Sequence, residues 1–471
     1  MFQLINDILT VFHKCFKKTA TWNWFVCVVV AFMIRNEHRG VTSVISSLGL
    51  QPRFYEQILH FFRSSAYKVE EVYSQLTQVI QDYLPFEEES GYIILAGDPI
   101  KVAKEGKRMP GLDDYHNDSE NSGKPEFMEG HQFGMVCALT VEDSKTRCVP
   151  VAAKLQESKT KTGKDTLIEQ MVNLGGSVLP DLQKPGLLVL DAYFCNGSTF
   201  KTADAYNDEQ GRPRLAIITR AKRDTKAFER PSALAPGQKR GRGAPRKYGE
   251  GVKLYSLFDK KHAGEYTQAE VFLYGKVQKV LYLCKDLIWK PAKRVIRFVA
   301  VVTPGTKKIA ALMCSDLSLS PEAIIRTYGL RFNIETNFDD LKNDLGAFYY
   351  HFWSKSLPKK RKWKDVTLPT DEKALRNIAK TRQAIEMHVC VSCIASGILT
   401  VIAFRHNRKI WNAFSGWLRT IRSSIPSIAT TRAAFAQEFY AFLPSLGRLP
   451  VFKLISSRRG WANNYSDVIN F

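Results

Sequence analysis

The chain has 471 residues, 45% of them hydrophobic, and carries a formal net charge of +22. This length allows two to four domains, and the ordinary hydrophobic fraction excludes wholesale disorder. The charge indicates a polyanionic partner, either nucleic acid or an anionic membrane surface. Many basic residues lie next to aromatic residues, which favours nucleic acid.

Targeting signals are weak. Residues 1–18 lack a small-residue cleavage site, so we expect no signal peptide. The apolar runs at 24–34 and 389–404 are shorter than the roughly twenty residues that span a bilayer, so we expect buried helices and no membrane partner. The nine cysteines are odd in number and scattered, which is typical of a reduced intracellular protein. We therefore expect a cytoplasmic, nucleoid-associated location.

Residues 1–88 have helical apolar spacing and predict a helical DNA-binding domain. Within this domain, residues 40–63 predict a short helix, a glycine turn and a second helix with Pro52 near its start. This pattern resembles a helix-turn-helix, whose second helix enters a major groove. Arg53 and the polar residues after it would then contact DNA. A plain helical hairpin is the alternative interpretation.

Residues 89–222 predict the first part of an α/β core. The apolar run from Gly91 ends in Asp98, and the run from Gly186 ends in Asp191, as two buried strands would. Residues 131–141, 147–155 and 215–219 predict further strands, and residues 165–174 a helix capped by Asp165. Strands followed by alternating strand and helix indicate an α/β fold with a mixed sheet.

Residues 223–316 predict a β-rich insertion, with strand patterns at 252–258, 269–277, 279–284 and 295–302. It begins with a basic loop at 239–247 that contains Arg240, Arg242, Arg246 and Lys247. The loop has pieces of a minor-groove hook, although Gly243-Ala244 interrupts them, and a nonspecific phosphate contact is the alternative.

Residues 317–350 predict one catalytic helix that starts at Pro321 and stops before Gly346. At about 100° per residue, one face of this helix carries four functional side chains within about 60°. These are Tyr328, Arg331, Glu335 and Lys342. Residues 351–471 predict a basic helical C-terminal region, in which the stretch 358–364 would contact a DNA backbone.

Three acids stand out by position, namely Asp98, Asp191 and Glu335. Two carboxylates at strand ends and one from a packed helix suit Mg²⁺, with Mn²⁺ as an alternative. Two such ions activate a water or a 3′-hydroxyl and stabilise a leaving oxygen. Taken singly, each acid has the alternative of a helix cap or a surface ion pair.

These residues resemble the DDE transposases of prokaryotic insertion sequences, in the group typified by insertion sequence four. The signature of that group, Tyr-x2-Arg-x3-Glu-x6-Lys, matches at Tyr328, Arg331, Glu335 and Lys342. The resemblance implies an RNase H-like core, with a β-rich insertion between the second aspartate and the glutamate and with flanking helical regions. It also implies that Asp98, Asp191 and Glu335 bind metal.

The implied reaction is cut-and-paste transposition: cleavage at the terminal inverted repeats of double-stranded DNA, then joining of the 3′-hydroxyl ends to target DNA by a homodimer. Tyr328, Arg331 and Lys342 would hold phosphates near the transposon end, and Trp289 would stack a flipped base. Packing of a hairpin is the alternative for Trp289. Two rival functions stay open: a catalytically silent transposase-derived DNA-binding or regulatory protein, and an RNase H-like nuclease without strand transfer.

Overall fold

The computed structural model describes residues 1–37, 40–116, 125–142, 145–159, 163, 165–231, 244, 246–306, 308–361, 364, 366–418 and 424–460. The chain forms two compact units. The first unit contains Met1–Pro85, Pro99–Gly163 and Glu335–Phe471, and the second contains Phe86–Asp98 and Lys164–Ile334. Asp98 and Asp191 therefore belong to the second unit, whereas Glu335 opens the last segment of the first.

The chain alternates between helical and extended segments. Among the described residues, the helices in chain order are α1 (Phe2–Val11), α2 (Thr19–Ile34), α3 (Thr42–Leu48), α4 (Tyr55–Phe62), α5 (Val69–Tyr83), α6 (Leu167–Val178), α7 (Gly197–Asp204), α8 (Pro321–Leu330), α9 (Asn333–Asp339), α10 (Glu372–Arg405), α11 (Asn407–Ala413), α12 (Ile428–Phe442) and α13 (Pro450–Ser456). The strands are β1 (Glu88–Glu89), β2 (Tyr92–Ala103), β3 (Asp113–His116), β4 (Phe127–Glu142), β5 (Lys145–Gln156), β6 (Gly186–Val189), β7 (Leu215–Arg220), β8 (Lys226–Phe228), β9 (Gly251–Lys253), β10 (Thr267–Leu273), β11 (Lys276–Trp289), β12 (Arg294–Val302) and β13 (Ile309–Cys314). The helical character predicted for the N- and C-terminal regions is confirmed.

The core of the first unit is built around α10. This helix is long and apolar enough to cross a membrane, and its most apolar stretch, with a mean hydropathy of 2.1, is entirely buried within the protein. A helix that is apolar on all sides packs in a core rather than on a surface. Helix α2 packs against α10 and is buried along most of its length. The prediction that both apolar runs form buried helices is confirmed.

The predicted helix–glycine turn–helix lies at α3 and α4. Helix α3 ends at Gly49, whose φ of +61° is a left-handed conformation that favours glycine. Pro52 then starts a 3₁₀ turn that leads into α4. Helix α4 buries Ile58, Phe61 and Phe62, and its other side faces solvent. The secondary structure is as predicted, whereas its role in DNA binding stays a prediction.

The first unit also contains an antiparallel hairpin of β4 and β5, to which β3 is added on β4. A bulge between Val136 and Cys137 shifts the register of the hairpin. Helix α10 packs against β5. The two strands predicted at 131–141 and 147–155 are thus confirmed, although the observed strands are longer.

The second unit contains a mixed sheet. Its parallel part joins β2 to β6 and β6 to β7. The antiparallel part continues from β7 through β13 and β12 to β11, and β11 also pairs with β10 and β8. The predicted α/β fold with a mixed sheet is confirmed at this level, and the insertion is rich in β-strands.

Three local predictions in this unit are wrong. The predicted strand 269–277 is divided by the turn at Tyr274 and Gly275, which joins β10 to β11. The cap of α6 is Thr166 rather than Asp165, because the Thr166 hydroxyl and the Glu169 carboxylate form a reciprocal capping box. Only the start of the predicted strand 252–258 is extended, since Leu254–Phe258 forms 3₁₀ turns that bury Leu254 and Leu257. An apolar run of this length does not distinguish the two conformations.

The predicted continuous helix 321–345 is also wrong, although its ends are right. Ser320 caps α8, with Pro321 as its first residue, and Gly346 follows the last turn with a φ of +62°. The helix breaks at Leu330, whose carbonyl accepts a hydrogen bond of 2.9 Å from the Asn333 side chain. After α9, Asp340–Asp344 forms a π-helical turn. The angular argument from one regular helix therefore does not hold.

Candidate active site

The register of the parallel strands places Asp98 beside Asp191. Ala96 of β2 pairs with Val189 of β6, and each acid follows its paired residue by two positions. Neighbouring strands lie about 4.8 Å apart, and the carboxyl ends of parallel strands meet at the same edge of a sheet. β2 continues to Ala103, so Asp98 lies within the strand, but both aspartates stand two positions beyond the last residue pair of the parallel ladder.

Gly97 leaves room for this arrangement. A Cβ atom at this position would lie 2.8 Å from Leu190 Cδ2 and 3.1 Å from Leu188 Cδ1. Both leucines are fully buried. The strand that delivers Asp98 can therefore pack this closely on β6 only with glycine at position 97.

Asp191 is held by its own backbone surroundings. Its Oδ1 atom accepts a hydrogen bond of 3.0 Å from the Tyr193 amide and caps the 3₁₀ turn Ala192–Phe194. Its backbone carbonyl accepts a hydrogen bond of 2.5 Å from the Thr219 hydroxyl. Burial raises the pKa of the Asp191 carboxyl, while the charges of Arg331 and Lys222 act in the opposite direction.

Arg331 faces both acids. Its Nη1 atom lies 3.1 Å from Asp98 Oδ2, and only 17% and 19% of the two side chains are exposed. After burial, the positive charge of Arg331 is the largest influence on the pKa of Asp191, and it lowers that pKa. One guanidinium thus partly neutralises the carboxylates at both strand ends.

Tyr328 lies in the same place. Burial raises the pKa of its phenol, and the carboxylate of Asp191 raises it further, while Arg331 and Arg220 lower it. Its side chain also shares a hydrogen bond with Arg331. Asp98, Asp191, Tyr328 and Arg331 form what we call the acid–arginine cluster.

The donor chemistry of Asp98 and Asp191 fits a hard divalent cation. Mg²⁺ is commonly bound through one or two carboxylates, with waters and substrate phosphates as the other ligands. Among the described residues, however, no group of three or more His, Cys, Asp or Glu side chains is arranged to hold a metal. Asp98 and Asp191, two of the three predicted metal ligands, both lie in the second unit, whereas Glu335 belongs to the first.

Glu335 and Lys342 belong to the first unit. Glu335 is an exposed residue of α9, and Lys342 is an exposed residue of the π-helical turn. Asn337 anchors this segment, because its buried side chain donates a hydrogen bond of 3.3 Å to the Cys148 carbonyl. The catalytic role of Glu335 and the phosphate-binding role of Lys342 stay predictions.

Trp289 is a packing residue in this structure. Its side chain is 4% exposed, and its ring meets Phe200 edge-on with 5.4 Å between centroids. A nucleobase cannot stack on the ring in this conformation. The observed environment is that of the hairpin-packing alternative.

The other predicted DNA contacts differ in exposure. Arg53 is exposed, with its guanidinium 5.1 Å from the centre of the Phe54 ring. Arg246 and Lys247 are also exposed, whereas Arg240 and Arg242 lie outside the described residues.

Within the basic stretch 358–364, Lys360 is buried in an ion pair of 2.6 Å with Asp114. Lys360 is thus not available to a DNA backbone, contrary to the prediction.

Sequence reasoning missed three residues beside the acids. Arg220 is the last residue of β7 and Lys222 follows the strand, and their charges act on Tyr328 and Asp191 respectively. Tyr193 follows Asp191 and is 49% exposed. The sequence did hold a signal for Arg220 and Lys222, namely the predicted strand at 215–219. In a parallel sheet the carboxyl end of that strand lies near the carboxyl end of β6.

Comparisons with known proteins place the chain in a family but do not test its site residues. Residues 11–271 match the family described as DDE superfamily endonuclease, a range that includes both aspartates and ends before Tyr328. No curated protein matches the chain significantly. Among solved structures, the chain is similar to the NurA nuclease from Sulfolobus solfataricus, with 10% identity over 62% of this chain and 92% of that chain. The TM-score is 0.22, which is too low for an inference about fold or function.

Proposed function

Because the chain belongs to the DDE superfamily endonuclease family, we propose that it is a DNA transposase that cuts at transposon ends and joins them to target DNA. The observation that carries this proposal is the position of Asp98 and Asp191 just beyond the last parallel pair of β2 and β6, with Arg331 paired to Asp98 and its charge acting on Asp191. The sequence signature from Tyr328 to Lys342 supports the finer assignment to the insertion sequence four-like group.

We retain the predicted plan of an RNase H-like core in two parts, 89–222 and 317–350, interrupted by the β-rich insertion at 223–316. Support comes from the parallel β2, β6 and β7, with helices in the connections, an acid within β2 where its pairing with β6 ends, and an acid after β6. Residues 1–88 and 351–471 would be the flanking DNA-binding and C-terminal regions. Glu335 is the proposed third acid, on the strength of the signature alone.

Asp98 and Asp191 would hold Mg²⁺ or Mn²⁺, with Glu335 as their proposed partner. When bound, such ions activate the attacking water or 3′-hydroxyl and stabilise the leaving oxygen. Arg331 opposes the effect of burial on Asp191, because a nearby positive charge favours the charged form of a carboxyl and lowers its pKa. A DNA phosphate would then compete for the guanidinium, whose donors match phosphate oxygens in pairs.

Tyr328 and Lys342 have the chemistry to position the DNA strand. A phenol donates one hydrogen bond to a phosphate oxygen, and a lysine acts as a mobile point charge. The partner we propose is double-stranded DNA, both at terminal inverted repeats and at the target, bound by a homodimer in the cytoplasm. The net charge of +22 supports a polyanionic partner.

The test uses Asp98→Asn, Asp191→Asn and Glu335→Gln in separate full-length proteins, with Mg²⁺ and a terminal-repeat duplex taken from the DNA beside the gene. We expect each change to abolish the release of 3′-hydroxyl ends and their joining to a target plasmid. Asp208→Asn is the matched control, because Asp208 pairs with Arg212 on the surface of the same unit.

Cleavage that survives all three changes would overturn the proposal. Nicked ends without joined product would identify an RNase H-like nuclease without strand transfer. Binding of the ends without metal-dependent nicking would identify a silent DNA-binding or regulatory protein. Short inverted repeats bounded by a target duplication, in the DNA beside the gene, would independently support transposition.

A further inference from the structure

A groove of about 550 Å³ lies within the first unit, at the start of α4 and beside the segment that follows Gly346. Its lining includes Tyr55 and Arg63 from α4 and its end, Trp353 and Lys355 from that segment, and Lys380 and His388 from α10. We call it the Tyr55–Trp353 groove. The volume lies within the range of about 300–1,000 Å³ that is ordinary for ligand sites.

The walls of the groove present exposed aromatic rings. Trp353 is 48% exposed and Tyr55 is 39% exposed, whereas Phe352 between the wall and the floor is only 3% exposed. Aromatic rings with open faces are the platforms on which unpaired nucleobases stack. A base inside a duplex has no free face to offer, so this feature selects unpaired nucleotides.

The rim of the groove is basic. Arg63, Lys355 and Lys380 are exposed, and none of the described lining residues is a carboxylic acid. The Arg63 guanidinium also donates a hydrogen bond of 3.4 Å to the Trp353 carbonyl, so a cation and an aromatic ring share one end of the groove. Stacking rings beside phosphate-binding cations are the combination found in sites for single strands.

The floor holds a polar atom that has no partner. His388 is fully buried, and its Nδ1 atom lies 3.1 Å from the Ala347 carbonyl, so this nitrogen carries the proton. Nε2 is then an acceptor, and within the described part of the chain it has no hydrogen-bond partner. Burial of an unpartnered acceptor is unfavourable. The atom is closed to solvent, so it lies beneath the groove and is not a contact for a ligand in this conformation.

We infer that the Tyr55–Trp353 groove binds an unpaired nucleotide of a DNA strand, with the base against the exposed ring of Trp353 or Tyr55 and the phosphates on the basic rim. This inference rests on the DNA partner proposed above but concerns a different place in the chain. It assigns to the first unit a site for DNA that is single-stranded, overhanging or extruded from a duplex.

The test measures binding of the full chain to fluorescein-labelled oligonucleotides by anisotropy, in EDTA so that no cleavage takes place. The probes are a 12-nucleotide mixed-sequence DNA strand, the RNA of the same sequence and a blunt duplex. We expect Trp353→Ala and Tyr55→Ala to weaken binding of the DNA strand by about 5- to 100-fold, the range that corresponds to one lost base stack. Binding of the blunt duplex by Trp353→Ala should change less than about twofold, because Trp353 lies outside α4, the helix predicted to contact duplex DNA.

Trp353→Phe should restore most of the affinity, because phenylalanine keeps a stacking face in place. Trp417→Ala is the matched control, since Trp417 is 85% exposed in the same unit and does not line the groove. Equal losses for strand and duplex, no loss with either alanine variant, an equal loss with Trp417→Ala, or tighter binding of the RNA would each overturn the inference. A chain that binds the strand through Trp353 but never cuts DNA would overturn only the proposed function.

Discussion

Arg331 Nη1 lies 3.1 Å from Asp98 Oδ2, and the same guanidinium lowers the pKa of Asp191. The residue that the signature assigns to phosphate is thus also the counterion of the two paired acids. Both side chains of the ion pair are more than four-fifths buried, so the pair is less screened than one on the surface. The site is organised before metal or DNA is bound.

Arg331→Ala should move the acid limb of the pH–rate profile of metal-dependent cleavage to higher pH. Loss of the guanidinium raises the pKa of Asp191, so more of this carboxyl is protonated, and metal binding requires the ionised form. A charge-assisted hydrogen bond contributes about 1.5–3 kcal/mol, which corresponds to a loss of about tenfold or more at neutral pH. Arg212→Ala, which removes an exposed arginine from the same unit, is the control. An acid limb that stays in place would contradict the counterion role.

Asp191→Asn and Asp191→Ala should differ in stability while both abolish cleavage. Asparagine keeps an oxygen for the Tyr193 amide, whereas alanine removes the cap, at a cost of about 1 kcal/mol. Burial already disfavours the ionised carboxylate, so Asp191→Asn should be at least as stable as the parent at pH 7. Urea unfolding gives the free energies of unfolding. Equal destabilisation by both changes would show that the cap does not matter.

Gly97→Ala should destabilise the protein by about 1–3 kcal/mol, because its Cβ atom would clash with Leu190 and Leu188. Cleavage should fall with it, since the strand must shift where it delivers Asp98. Gly264→Ala is the matched control, because no atom lies within 4 Å of a Cβ at that position. Thermal unfolding and an end-cleavage assay measure both effects. A fully stable, active Gly97→Ala protein would refute the packing argument.

The two acids could be picked out from sequence because an apolar run followed by one acid is a local pattern, at Asp98 and again at Asp191. The predicted strand end at Asp98 is wrong, however, because β2 continues to Ala103. The break at Leu330 depends on a side-chain bond from Asn333, which periodicity does not register. Gly329 is the one local indication of this break, since glycine is a weak helix former. The burial of Trp289 depends on Phe200, which is distant in sequence. Contacts of this kind follow from the tertiary fold and have no local signal.

Asp340→Asn should raise stability most at pH 8 and least at pH 4. Burial and the nearby Asp344 raise the pKa of Asp340 from 3.8 to about 7. Between these pH values the native protein keeps a proton that the unfolded chain releases, so the free energy of unfolding falls as the pH rises. Asparagine removes this loss, with a gain of about 1–3 kcal/mol above pH 7 after allowance for the partial exposure of Asp340.

The measurement is urea unfolding of Asp340→Asn and the parent protein at several pH values between 4 and 8. Glu105→Gln provides the comparison, because Glu105 is an exposed carboxylate of the same unit. The stability difference between Asp340→Asn and the parent should grow with pH, and that of Glu105→Gln should not. A difference for Asp340→Asn that is independent of pH would mean that the carboxyl is ionised throughout this range.

The position of Arg331 as a counterion has consequences for folding in the absence of metal and for metal binding. If only a bound metal ion offset the repulsion between two neighbouring carboxylates, folding would depend on the supply of cations. Here the Arg331 guanidinium supplies a positive charge beside the acids, so we expect the protein to stay folded when chelators remove metal. An entering ion must also displace or share that charge, which weakens its binding in the resting state. Under the proposed function, metal would then bind tightly only after a DNA phosphate competes for the guanidinium, so the substrate itself would complete the site.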